Sequence, residues 1–155
     1  MCIRDRLTSL QGAPQTVRGF NCSNNQLTSL QGAPQTVGGN FICNDNQLTS
    51  LQGAPKEVRG GFSCIGNQLT SLQGVSKEIG GSFYCSNNQL TSLQGAPQTV
   101  GFDFDCGYNQ LTSLKGAPQR VGGNFACGDN SVKFTINDVK AVTSHIGKQI
   151  ILVQI

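Results

Sequence analysis

The sequence is poor in the residues that carry chemistry. It holds one histidine, His145, and only 12% of its 155 residues are charged. A single near-neutral base leaves no material for a Ser/His/Asp arrangement or a histidine-rich metal cluster. No phosphate-cradling glycine loop and no convincing carboxylate pair takes its place. No catalytic centre and no cofactor is therefore expected. The net charge is +3, and Lys and Arg are scattered rather than gathered on one face between aromatics, which argues against a nucleic-acid partner. No run of 18 apolar residues occurs, so no membrane span is expected. No signal-peptide pattern is visible either. The seven cysteines never form a Cys-x-x-Cys pair, the spacing a zinc site would need.

What the chain does have is repetition. The stretch Phe41-Ile42-Cys43-Asn44-Asp45-Asn46-Gln47-Leu48-Thr49-Ser50-Leu51-Gln52-Gly53-Ala54-Pro55 recurs six times with small edits. Its asparagines, Asn25, Asn46, Asn67, Asn88, Asn109 and Asn130, stand 21 residues apart. A fixed period in this range is the signature of a solenoid. The first interval, Leu7 to Leu27, is one residue shorter. There Val17 is followed by Arg18-Gly19 before Phe20, whereas later copies insert a corner residue, usually within a Gly-Gly pair.

Each copy has a local logic. Phe-x-Cys alternates inward and outward, as a strand does. The asparagine ends the turn that follows. Leu-Thr-Ser-Leu then points two leucines inward, with Thr and Ser outward. Gly-Ala-Pro turns the chain again and Val comes back to the core. Twenty-one residues leave no room for a full helix beside the strand and two loops. The back of each copy is expected to be extended or 3₁₀-like, with Pro14, Pro34, Pro55, Pro97 and Pro118 withholding backbone donors. One copy buries too little apolar surface to offset its own ordering, so the copies must stack.

Three segments are expected. Residues 7–131 form the six-copy solenoid. Residues 132–155 form a helix–strand cap that hides the open end of the core. In it Ile136, Val139, Ala141, Val142 and Ile146 make a helical stripe, started by Thr135 or Asn137 and ended by Gly147, before a strand over 148–155. Residues 1–6, Met-Cys-Ile-Arg-Asp-Arg, are similar to the peptide translated from sequencing-adapter DNA at the edge of a metagenomic contig, and are expected to be non-native.

The pattern Val17-x-x-Phe20-x-Cys22-x-x-Asn25-x-Leu27 resembles the frame of the leucine-rich repeat proteins. The string Asn-Gln-Leu-Thr-Ser-Leu is similar to short-repeat bacterial effectors, and Gly-Ala-Pro with Phe-x-Cys to repeats in phage proteins. The resemblance implies a right-handed coil with a parallel concave sheet and little helix in the repeats. It also implies a non-catalytic module that binds a protein or peptide on the concave face. Cys43-Asn44-Asp45 spells the Cys-x-Asp of the effector ubiquitin ligases, but there the motif lies in a helical domain with no counterpart here.

Candidate residues follow from the ladders and from departures between copies. Cys22, Cys43, Cys64, Cys85, Cys106 and Cys127 read as small core residues, and stacked free thiols imply a reducing cytosol, native or reached by delivery. The asparagine ladder reads as structural, its amides satisfying backbone groups of the turn. The candidate partner-binding residues are Ile65, Tyr84, Phe102, Asp103, Asp105 and Tyr108, which break the run of small polar residues in the middle copies. Two alternatives stand beside this reading. One is a structural or surface array, facing ice or glycan with the hydroxyl ladders of Thr28, Ser29 and their equivalents. The other is the recognition fragment of a larger enzyme.

Overall fold

The computed structural model describes residues 6–152. The expected leader therefore lies outside the described residues apart from Arg6, as do residues 153–155. The described chain is a β-solenoid in which each 21-residue copy makes one rung. Two parallel sheets of seven strands run the length of the coil.

One sheet is built on phenylalanine. Its strands are Phe20–Asn21, Phe41–Ile42, Phe62–Ser63, Phe83–Tyr84, Phe104–Asp105, Phe125–Ala126 and Ile150–Ile151. Equivalent residues pair directly, so Phe20, Phe41, Phe62, Phe83, Phe104 and Phe125 form one buried column. Neighbouring rings in it lie 5.0–6.0 Å apart between centroids. That spacing falls within the favoured range for aromatic pairs.

The second sheet shows the back to be extended, the first of the two expected forms, and corrects the expectation that the prolines deny it backbone donors. Thr16–Val17, Thr36–Val37, Glu57–Val58, Glu78–Ile79, Thr99–Val100, Arg120–Val121 and His145–Ile146 form a parallel ladder of their own. The prolines stand just ahead of these strands and cost the ladder no donor. Leucine pairs such as Leu48 and Leu51 close the third side of each rung and are fully buried. That side is also bound rung to rung, since Gln26, Gln47, Gln68, Gln89 and Gln110 donate their backbone N–H to Leu7, Leu27, Leu48, Leu69 and Leu90 carbonyls at 2.9–3.0 Å.

The corners explain the glycines at two kinds of position. After the leucines the chain makes a turn in which Ala54 N–H donates to Leu51 O at 3.0 Å, with Gly53 at φ +86°. Positive φ at the third position of a β-turn favours glycine. At the other corner the rungs approach so closely that a side chain at Gly122 would collide with the Gly101 carbonyl oxygen.

The C-terminal segment is the expected cap, built as a modified seventh rung. A helix, Ile136–Val142, replaces the leucine arc, and its two following strands extend both sheets. Thr135 caps the helix with a full capping box to Asp138. The helix stops at Val142, short of the expected Gly147, because His145–Ile146 must pair with Arg120–Val121. Gly147 is instead a corner glycine, packed on the Gly122 carbonyl. The expected strand over 148–155 is Ile150–Ile151 within the described residues.

Candidate functional site

The asparagine ladder joins neighbouring rungs as well as closing its own turn. Asn67 Nδ2 donates to Cys64 O at 3.1 Å and Ile65 O at 3.3 Å in its own rung, and to Cys43 O at 3.1 Å in the rung before. Its Oδ1 accepts from Leu48 N at 3.0 Å. Asn46, Asn88, Asn109 and Asn130 repeat the arrangement. Asn25 closes its turn on Cys22 and Ser23 carbonyls and accepts from Leu7 N. An amide has the donors and the acceptor that this geometry asks for.

The six ladder cysteines are buried and free. Cys22, Cys43, Cys64, Cys85 and Cys106 each point the thiol at a carbonyl of the next rung, 3.3–3.6 Å away. Burial pushes the Cys22 thiol up to about 12 and the Cys127 thiol up to about 11, and drives Cys43, Cys85 and Cys106 well upward. Thiols held protonated are poor nucleophiles and poor metal ligands. Among the described residues no cluster of His, Cys, Asp or Glu has the grouping of a metal site.

The outer face of the phenylalanine sheet carries the departures. Tyr84 and Asp105 are register partners on adjacent strands. With Asp103, Phe104, Asn124, Ala126 and Ile151 they line a depression of about 280 Å³. Two carboxylates and no cation face into it. Both carboxylates are anchored. Asp103 Oδ1 accepts from Asn124 N at 2.7 Å, and Asp105 Oδ1 from Gly107 N at 2.8 Å. Asp103 belongs to a corner column in which Asn40, Ser82 and Asn124 likewise accept from the next rung's backbone. Its carboxylate thus has a structural partner as well as an open side.

Phe102, Tyr108 and Ile65 do not line the depression. Phe102 is 60% exposed and occupies the corner before the Phe104–Asp105 strand, where Gly39, Gly60, Gly81 and Gly123 stand in other rungs. Tyr108 is 49% exposed and sits after that strand at φ +48°. Its counterparts in the same left-handed conformation are Asn24, Asp45, Gly66, Asn87 and Asp129, residues suited to it. Tyr108 therefore combines an exposed aromatic with a disfavoured backbone. Ile65 is half-buried one rung before Tyr84's, its N–H donating to Asn44 Oδ1 at 3.0 Å. Sequence reasoning missed Ala126 and Ile151. They share the outward column of Tyr84 and Asp105, but Ile151 joins it only because the last segment is a seventh rung.

The serines of the leucine arc are not a bare hydroxyl array. Ser9, Ser29, Ser71 and Ser113 Oγ accept from the backbone N–H two residues on, at 3.0–3.2 Å. They brace the turn locally. Among the described residues no helix is long and apolar enough to cross a membrane. The chain matches no protein-family model, no curated protein and no solved structure in the three comparisons.

Proposed function

We propose that the chain is a leucine-rich-repeat module of the short-repeat bacterial or phage type, non-catalytic, which binds a protein or peptide partner on the outer face of its phenylalanine sheet. The Val-x-x-Phe-x-Cys-x-x-Asn-x-Leu frame supports the type. The single observation that carries the binding face is the bracketing of the Tyr84–Asp105 pair by two exposed aromatics, Phe102 and Tyr108, on one rung. Exposed aromatics beside fixed charge have the make-up of interface anchors. Tyr108 strengthens the reading, because the turn imposes a left-handed backbone that Asn, Asp or Gly adopts more easily, so the turn gives no reason for a tyrosine there. The depression fits a partner that offers an apolar side chain and a Lys or Arg, whose stem lies on Tyr84 and Ile151 while its head meets Asp103 and Asp105. Six buried free thiols support operation in a reducing cytosol.

The test is the double variant Tyr84→Ala with Asp105→Asn. Asparagine keeps the acceptor for Gly107 N, as Asn21 does for Ser23 N in the first copy. The variant is expected to lose the main captured partner with an unchanged melting temperature. Retention of every partner, with loss in Ser50→Arg on the leucine arc, would overturn the assignment of the face.

A further inference from the structure

A second surface differs from the first in repeating without change over five rungs, until Ser131 and Lys133 break it after Asn130. On the leucine arc, Gln26, Gln47, Gln68, Gln89 and Gln110 stand on successive rungs, each two residues before Thr28, Thr49, Thr70, Thr91 and Thr112. The buried leucine between them turns both side chains outward, and all ten are exposed. None of these ten side chains has a hydrogen-bond partner within the described protein, whereas the neighbouring asparagines and Ser29, Ser71 and Ser113 are engaged. Packing and internal bonding therefore give no reason for their identity. Divergence has nonetheless acted on other outward-pointing positions of the same rungs, several of them half-buried. The outward column of the phenylalanine sheet runs Asn21, Ile42, Ser63, Tyr84, Asp105, Ala126. The outward column of the second sheet runs Thr16, Thr36, Glu57, Glu78, Thr99, Arg120. The glutamine–threonine pair is exposed and identical on five successive rungs, and a further exposed glutamine column, Gln11, Gln31, Gln52, Gln73 and Gln94, runs along the same arc until Lys115 replaces it.

We propose that this face is a second binding site, and that it takes a neutral, linear polysaccharide lying along the solenoid axis. Three properties select that occupant. First, the array is periodic, offering the same pair about every 4.8 Å. A ligand with its own repeat engages every rung in the same way, whereas an irregular protein surface would not call for one pair throughout. Second, the ten residues carry no charge, so neither a polyanion nor a cationic segment is matched. Third, each pair presents an amide donor, an amide acceptor and a hydroxyl that does both, which complements the hydroxyls of a sugar chain. An ice lattice fits less well, because glutamine keeps several rotatable bonds and only one column, threonine, is stiff at χ1. A second copy of the chain fits less well too, since homodimer interfaces centre on an apolar core that this face lacks. Each rung contributes a weak contact, and affinity comes from engaging several rungs of one rigid scaffold at once.

The test is affinity electrophoresis of the full chain through native gels containing hydroxyethylcellulose, xyloglucan, galactomannan or soluble starch. At least one of these neutral polymers is expected to retard the protein. The triple variant Gln47→Ala, Gln68→Ala, Gln89→Ala is expected to weaken that retention by about tenfold or more, in keeping with lost multivalent contacts. Thr70→Arg on the same face serves as a second variant, expected to weaken retention too, while Tyr84→Ala with Asp105→Asn retains it. Oligosaccharides of the retarding polymer should bind more tightly as they lengthen. The proposal is overturned if no gel retards the protein, if both face variants are retained like the parent, or if affinity is independent of oligosaccharide length. It is also overturned if the triple variant abolishes ice shaping or self-association in the absence of any polysaccharide binding.

Discussion

Asn67 and Leu48 are joined across two rungs by a hydrogen bond of 3.0 Å from the leucine N–H to the asparagine Oδ1. The same amide donates to three carbonyls, so its loss strands backbone groups in two copies at once. Asn67→Ala is expected to cost about 3 kcal/mol, the upper part of the range for an unsatisfied buried group. Thr70→Ala, on an exposed side chain, should change stability by less than about 0.5 kcal/mol. Urea melts of the two variants measure the difference, and equal losses would contradict the assignment of faces.

The thiol ladder makes stability depend on alkaline pH. The ordinary thiol value is 9.0, and burial raises Cys22 to about 12. Below about pH 9 the folded and unfolded chains both hold their thiol protons and nothing changes. Above it the unfolded chain releases protons that the fold retains, so stability falls as pH rises through the window up to about 12. Each shielded thiol contributes a slope of about 1.4 kcal/mol per pH unit inside that window. Replacing one, as in Cys64→Ala, should flatten the slope by one proton's share in urea midpoints measured just above pH 9. Brief native alkylation followed by mass spectrometry should leave the six thiols unlabelled at neutral pH.

Tyr108 sets stability against the proposed binding. Its φ of +48° costs a bulky L-residue about 1 kcal/mol. Asn24 and Asn87 hold the same conformation in other rungs. Tyr108→Asn is therefore expected to raise stability by about 0.5–1 kcal/mol while weakening partner capture. A fall in both, measured by thermal melting and by pull-down, would show the ring to be a packing residue.

The fourth copy has a looser corner. Val75-Ser76 stands there in place of Ala-Pro, the turn bond from Val75 N to Leu72 O is 3.4 Å against 3.0 Å at Ala54, and Gly74 opens to φ +104°. Without proline the unfolded chain has more freedom at this point. Amide exchange at Val75 should be faster than at Ala54. Equal protection would mean that packing by the neighbouring rungs, not proline, holds these corners.

The repeat was legible because its strongest constraints are single residue types. Phenylalanine and cysteine alternate as a strand must, and an asparagine that meets four backbone groups admits no substitute, so it recurs unchanged. The valine sheet was legible only as an extended or 3₁₀-like back. Each of its strands brings one residue to the core, with no second inward residue to mark alternation, and five of the seven follow prolines that ordinarily argue against a ladder. The end of the helix was missed for a related reason. Ile146 continues the helical stripe, yet its pairing with Val121 outweighs it. Among the candidate site residues, Tyr84 and Asp105 could be placed together from the period alone. The bond from Asp103 to the next rung could not, because nothing local in Phe102-Asp103-Phe104 signals a partner 21 residues away.

The direct register of both sheets has a consequence for how such a gene can change length. Every strand pairs with its equivalent in the next copy, so a recombination that adds or removes one whole 21-residue unit rejoins ladder to ladder with the phenylalanine, cysteine and asparagine columns intact. Departures from that length fall at the corner Arg18-Gly19, one residue shorter, and at the rung that carries the helix Ile136–Val142. Copy number is thus free to drift in whole units, while the Tyr84–Asp105 pair, split between adjacent rungs, travels only as a two-copy cassette.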